Sequence, residues 1–229
     1  MLKRILSKLL AAGLVLVIAV PAALAQQTAE PKNLYTLKQE IAAYVATGQY
    51  GREVAQVAAA ANKYLVKRIP RGIPKHAKTS KKLAVVFDID ETTLSNVRHI
   101  QAQDYGFIAK NWDSWVAEGQ CTAIYPVQAV YQTAQNAKVD VFFITGRRES
   151  DAAGTERNLR QVGYENWTRI IYKPAGFAES TKAFKIDARR KLVAEGYLII
   201  ANLGDQNSDL VGGYAERVFK LPNPFYITN

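Results

Sequence analysis

The chain has little of the chemistry that often reveals a function at first sight. Its 229 residues include one cysteine, Cys121, and two histidines, His76 and His99. A lone cysteine excludes an internal disulfide, so the fold must hold on its core alone, whatever the redox state outside. No histidine partner is suggested for Cys121 as a nucleophile, which leaves that thiol without the base a catalytic cysteine needs. The apolar stretch Leu9 to Val20 is interrupted by Gly13 and closed by Pro21, and it falls short of the roughly 20 residues that cross a bilayer. Internal repeats and low-complexity tracts are absent, and nothing resembles a base-reading nucleic-acid module.

The first features present are at the N-terminus. A basic start (Lys3, Arg4, Lys8), the apolar stretch and the small-residue ending Ala23-Leu24-Ala25 precede polar chain from Gln26. This reads as a secretory leader over residues 1–25. No cysteine stands near the cleavage point to carry a lipid anchor, so the mature protein is expected to be secreted or periplasmic without stable membrane insertion. The net charge is +10, and loss of the leader removes three cations and no acid, so the mature chain stays basic. Much of that charge lies in Lys63, Lys67, Arg68, Arg71, Lys75, Lys78, Lys81 and Lys82. Such a segment is either a solvated linker or an electrostatic footprint that attracts phosphorylated substrates or an anionic surface.

Residues 34 to 66 carry apolar positions at helical spacing (Leu37, Ile41, Tyr44, Val45, then Val54, Val57, Ala58, Tyr64, Leu65) without internal proline, which predicts two amphipathic helices. Pro70, Gly72 and Pro74 break the pattern. Residues 26–81 thus read as an N-terminal helical extension with a basic connector. Residues 82–229 read as the main domain. There, apolar β-rich runs (Leu83 to Phe87, Val139 to Ile144, Arg169 to Tyr172, Tyr197 to Ala201, Arg217 to Lys220) alternate with helical patterns near Pro126 to Ala137, Glu149 to Val162 and Ser180 to Glu195. That alternation predicts an α/β fold, a Rossmann-like parallel sheet with helices on both faces and its ligand site at the carboxyl ends of the strands. One long aromatic insertion after the first strand, with Tyr105, Phe107, Trp112, Trp115 and Tyr125, predicts a small helical cap at about 96–125. Its aromatics either pack as core or touch substrate.

The chemistry falls at those strand ends. The first run delivers Asp88 and Asp90, the second ends in Thr145-Gly146-Arg147, and the fourth runs into Gly204-Asp205-Gln206-Asn207-Ser208-Asp209. The helix from Ser180 carries Lys182 and Lys185, three residues apart and able to share a face. Carboxylates crowded at one sheet edge raise each other's pKa unless a cation holds them. Oxygen ligands without nearby histidine or cysteine favour Mg²⁺. Arg147 is equally suited to a phosphate contact or a surface ion pair.

The ordered set DxDxT, ITGR, lysine and GDQxxD resembles the haloacid dehalogenase (HAD) superfamily. More narrowly, WxxW (Trp112, Trp115), FFITGR, FK(x)3R (Phe184, Lys185, Arg189), EGY and GDQNSDL resemble its secreted acid phosphatase branch, subfamily IIIB, over about Lys82 to Pro222. The resemblance implies a Mg²⁺-dependent acid phosphatase acting on small phosphorylated substrates through an aspartyl phosphate. It makes Asp88 the nucleophile and Asp90 the acid and base. It gives Thr145 and the Gly146 amide to the phosphoryl oxygens, and Lys185, by the FK(x)3R spacing, to their charge; Arg147 stands next to them as a candidate substrate-binding residue. Mg²⁺ falls to Asp88, the backbone carbonyl of Asp90 and Asp205, with Asp209 in support. Asn207 and Ile186 depart from the family pattern, which often has an aromatic and a serine there. A phosphotransferase with the same intermediate and a non-catalytic binding or storage protein are the other readings. Self-association into a homo-oligomer is left open.

Overall fold

The computed structural model describes residues 30–75 and 82–228. The expected leader over residues 1–25 lies outside the described residues, as do His76, Lys78 and Lys81. Helices α1 (Leu34–Ala46) and α2 (Gln49–Arg68) precede strand β1 (Lys82–Phe87). An insert follows, with β2 (Leu94–Ser95), α3 (Val97–Ala102), α4 (Ala109–Glu118) and β3 (Thr122–Ala123). The chain continues through α5 (Tyr125–Asn136), β4 (Asp140–Arg148), α6 (Ala152–Gln161), β5 (Arg169–Lys173), α7 (Thr181–Ala194), β6 (Tyr197–Gly204), α8 (Asn207–Leu210) and β7 (Val218–Lys220). The five longer-range strands form one parallel sheet in the order β5-β4-β1-β6-β7, as the alternation predicts. Residues 34–229 form one compact unit.

Period-2 alternation on β1 sorts the two cores. Ala84 and Val86 face one side, where Phe142, Ile144 and Ile199 meet Phe184, Ala188 and Leu192 of α7. Val85 and Phe87 face the other, where Val141 and Phe143 meet α5 through Val127, Val130 and Tyr131, and α2 through Val54, Ala58, Ala61 and Leu65. Each Val, Leu, Ile or Phe among them contributes about 1.5–3 kcal/mol when fully buried. With both faces covered, β1 has no polar side, which is why it reads as a continuous apolar run.

Two features differ from expectation, and a third adds to it. The basic run is not a uniform linker, because α2 continues to Arg68. Lys63 and Lys67 are exposed on it, but Arg68 is buried, donating from Nε to Glu216 Oε2 (2.6 Å), from Nη2 to Glu216 Oε1 (2.8 Å) and from Nη1 to Gly72 O (2.8 Å). β4 extends past Ile144 to carry Thr145, Gly146 and Arg147 inside the strand. The cap does form, with two helices, and its base is stitched by an antiparallel ladder that pairs Leu94 with Ala123 and Ser95 with Thr122. Two-residue strands carry no readable periodicity. Among the described residues no helix is long and apolar enough to cross a membrane.

Candidate active site

β1 ends on Asp88, whose N–H donates to Leu203 O of β6 (2.9 Å) and whose carbonyl accepts from Thr93 Oγ1 (2.6 Å). The chain then turns through Glu91, which adopts a left-handed backbone (φ +54°), an uncommon conformation for a non-glycine residue. Hydrogen bonds from Leu94 N to Ile89 O and from Glu91 N to Leu94 O, both 2.8 Å, close this turn. Across the sheet edge, Asp205 and Asp209 follow β6. One oxygen each of Asp88, Asp205 and Asp209 lie within 4.8 Å of one another, and all three residues are buried. Gly204 permits this, since a Cβ there would stand 2.5 Å from Asp209 Oδ2.

Lys185 reaches the cluster from α7, with Nζ 2.5 Å from Asp88 Oδ1 and 2.5 Å from Asp209 Oδ1. Lys182 is exposed, so the two lysines do not share a face: with Phe184 and Ala188 in the core, Lys185 is on the buried side and Lys182 turns to solvent. Arg189, one turn on, is buried and donates to the backbone carbonyls of Asp209, Val211 and Gly213, and so fixes the loop that presents Asp209. Burial pushes the Arg189 pKa down to about 10. For Lys185 burial also opposes the charge, but Asp88 and Asp209 hold its pKa above the ordinary lysine value.

Asp90 faces a different partner. Arg147 donates to its Oδ1 from Nη2 (2.7 Å) and Nε (3.1 Å), and Asn96 Nδ2 adds a third donor (2.9 Å). Arg147 is buried, held by Thr155 Oγ1 (3.0 Å) and lying 5.7 Å from the Trp112 ring centroid. The surface ion pair considered for it is thus a buried one, and it is made to Asp90. Burial works against the Arg147 charge, and the Asp90 carboxylate more than restores it. Thr145 is fully buried and, unlike Gly146 and Arg147, does not line the cavity; its hydroxyl accepts the Arg147 N–H (3.0 Å).

The carboxylates are electrostatically unsatisfied as they stand. Burial lifts Asp88 well above the carboxylate range; Lys185 lowers it, while Asp209, Asp205 and Asp90 raise it. Burial, then Asp209, raises Asp205 as well, against donors from Asn223 and Gln206. Fully ionised, the three carboxylates exceed the one ammonium by two negative charges, the complement of a single divalent cation. The donors are all oxygen, so these residues fit a hard ion such as Mg²⁺. The Cys121 thiol is buried, pushed up to about 11, and bonded to Asn96 Oδ1 (3.1 Å), which leaves it inert at neutral pH.

Asp88, Asp90, Lys185, Asp205 and Asp209 line a cavity of about 640 Å³, with Gly146 and Arg147. The cap's aromatics divide: Trp115 is buried, stacked 5.2 Å from His99 and donating to Asn96 Oδ1 (2.8 Å), whereas Tyr105, Phe107 and Trp112 line the cavity. The sequence reading missed two contributors. Glu91 is fully buried and accepts from Asn96 N (2.6 Å) and Tyr226 Oη (2.6 Å). Burial, then the Asp90 charge, pushes its pKa up to about 8. The other is the C-terminal segment: Phe225 to Thr228 line the same cavity. No local pattern marks either one; the only signal was the position of Glu91 inside DxDxT.

This fold is that of a phosphatase-type α/β protein. A solved structure of the class C acid phosphatase from Bacillus anthracis superposes with a TM-score of 0.68 at 22% identity, covering 83% of this chain and 86% of that one. The family model for the HAD superfamily, subfamily IIIB (acid phosphatase), matches residues 9–229, and the chain belongs to that family. Among curated relatives, the stem 28 kDa glycoprotein of Glycine max is 37% identical over 148 residues, which cover 62% of this chain and 58% of the relative. Acid phosphatase 1 of Solanum lycopersicum is 36% identical over 146 residues, 62% of this chain and 57% of the relative. Vegetative storage protein 1 of Arabidopsis thaliana is 34% identical over 148 residues, 62% and 54%. The chain thus spans little more than half the length of these relatives.

Proposed function

We propose that this chain is a secreted, Mg²⁺-dependent acid phosphatase that hydrolyses small phosphate monoesters through a phospho-Asp88 intermediate. The observation that carries this reading is the division of labour between two aspartates in one cavity. Asp88 sits with Lys185 in a cluster two charges short of neutrality, and Asp90 is held apart by Arg147.

Asp88 Oδ attacks phosphorus, and the bond from phosphorus to the ester oxygen breaks. A carboxylate approaching a phosphate dianion is repelled, and Lys185 offsets that repulsion at the attacking oxygen. Asp88, Asp205 and the backbone carbonyl of Asp90, with Asp209 in support, would hold Mg²⁺, which would supply positive charge against the phosphoryl oxygens. The Gly146 N–H and the Thr145 hydroxyl donate to those oxygens; Thr145 accepts from Arg147 but keeps its own proton to give. Asp90 in its protonated form gives its proton to the departing alkoxide, then takes one from the water that attacks the phospho-Asp88 phosphorus, as the bond from phosphorus to Asp88 Oδ breaks and releases inorganic phosphate and the free carboxylate. Arg147 and Asn96 keep its carboxyl aimed through both steps. The leader-like residues 1–25 support export from the cytoplasm, and the net charge of +10 favours anionic substrates.

The test is hydrolysis of p-nitrophenyl phosphate by the chain from Gln26 onward across pH 4 to 9, with EDTA or added Mg²⁺. Turnover that EDTA removes and Mg²⁺ restores is expected. Folded, Mg²⁺-loaded protein that releases no phosphate overturns the reading in favour of a binding or storage role. An added alcohol acceptor separates hydrolysis from phosphoryl transfer, since transfer yields a new phosphate ester.

A further inference from the structure

The C-terminal segment after β7 does more than end the chain. Leu221 N pairs with Gly204 O (2.9 Å), which brings the next residues across the site. Asn223 then turns both ways: its Oδ1 accepts the backbone N–H of Phe225 (2.8 Å) and of Tyr226 (3.3 Å), and its Nδ2 donates to Asp205 Oδ2 (2.7 Å). Gln206 Nε2 donates to the same oxygen (2.6 Å). Two amide donors occupy the two lone pairs of Oδ2, so Oδ1, which accepts only from Thr92 (3.1 Å), is the oxygen left for a cation. Three residues on, Tyr226 Oη donates to Glu91 Oε2 (2.6 Å); Glu91 Oε1 accepts Asn96 N (2.6 Å); and Asn96 Nδ2 donates to Asp90 Oδ1 (2.9 Å). The segment is buttressed from behind by α2, whose Tyr50 ring meets Phe225 edge-on at 5.3 Å.

We propose that the strap Asn223–Tyr226 positions both halves of the site: Asn223 fixes the cation ligand Asp205, and Tyr226, through Glu91 and Asn96, fixes the proton-transfer residue Asp90. The inference rests on the Mg²⁺-phosphatase reading and divides it between two side chains of one strap. Removing Asn223 Nδ2 leaves Asp205 Oδ2 to Gln206 alone, loosens the carboxylate and weakens the cation site. Removing Tyr226 Oη leaves Asp205 in place and loosens the path to Asp90. Partners that orient metal ligands typically change affinity or activity by about 10–100-fold.

The experiment follows the melting temperature of the full mature chain against Mg²⁺ concentration, beside kcat and KM for p-nitrophenyl phosphate at saturating Mg²⁺. Asn223→Ala should raise the Mg²⁺ midpoint about tenfold or more. Tyr226→Phe should leave that midpoint within about twofold and lower kcat about tenfold with KM unchanged. Should Asn223→Ala fold poorly, Asn223→Ser retains an oxygen for the turn but is too short to reach Asp205. Variants that lower only the metal-free melting temperature, with midpoint and kcat at wild-type values, overturn the inference and make the strap mere packing. A wild-type chain that binds Mg²⁺ but hydrolyses nothing sinks the phosphatase reading alone, and the Asn223 midpoint still decides the strap's hold on Asp205. A wild type whose melting does not respond to Mg²⁺ overturns the inference.

Discussion

Asp88 and Asp90 are two residues apart and share a cavity, yet their surroundings assign them different work. Asp88 lies between Lys185 and two further carboxylates, and Asp90 lies in the grip of Arg147. Asp88→Asn should abolish turnover, by about 10⁴-fold or more, with the fold intact by circular dichroism; substantial residual activity would show that another group attacks. Gly204 is the second sensitive position. A methyl group there meets the Asp209 side chain at 2.4 Å, so Gly204→Ala should cost about 1–3 kcal/mol in a denaturant titration and displace Asp209 from the cluster. Tyr50 is the opposite case, because its buried hydroxyl has no hydrogen-bond partner. Tyr50→Phe keeps the ring contact with Phe225 and should leave stability unchanged or raise it by about 1 kcal/mol, read from the midpoint of urea unfolding; a clear loss would reveal a partner for that hydroxyl.

At the scale of elements, α7 shows how much one helix can organise. Phe184, Ala188 and Leu192 bind it to the sheet, Lys185 reaches the carboxylates, and Arg189 ties down the loop bearing Asp209. These positions follow one helical face, so the FK(x)3R spacing was readable as a unit, and it separates Lys185 from Lys182. The α2 anchor was not readable. Arg68 stands in a run of cations, and only the β6–β7 connection, 148 residues away, supplies Glu216. Arg68→Ala removes a buried guanidinium that ties α2 to Glu216 and to Gly72 O, and should destabilise by about 2 kcal/mol in a denaturant titration, whereas Lys67→Ala, on the exposed side, should change little. The cap depends on a close approach too, since a Cβ on Gly154 of α6 would fall 2.3 Å from Val116 O of α4.

At the scale of the molecule, the buried acids set a pH dependence. Asp88, Asp205 and Glu91 have pKa values raised by folding, so the unfolded chain releases those protons first and stability falls as pH rises. For Glu91 the window runs from the ordinary value of 4.5 to about 8. Metal-free protein should therefore melt at a higher temperature at pH 5 than at pH 8, and Glu91→Gln should flatten that slope. Saturating Mg²⁺ should raise the melting temperature most at the alkaline end, where the carboxylates are ionised. A slope that rises with pH in EDTA would contradict the burial of these acids.

The division between what was legible and what was not follows from distance along the chain. The sequence by itself determined the parallel α/β architecture and the carboxylates Asp88, Asp90, Asp205 and Asp209 that follow β1 and β6, because each rests on periodicity or on neighbours a few residues apart. Only the tertiary structure decided that Arg147 holds Asp90, that Glu91 is buried between Asn96 and Tyr226, and that Asn223 donates to Asp205. Those contacts join residues 57, 135 and 18 positions apart. Hydrogen bonds of that span leave no periodic trace; they exist because the sheet order brings the ends of β1, β4 and β6 together and lays the C-terminal strap across them.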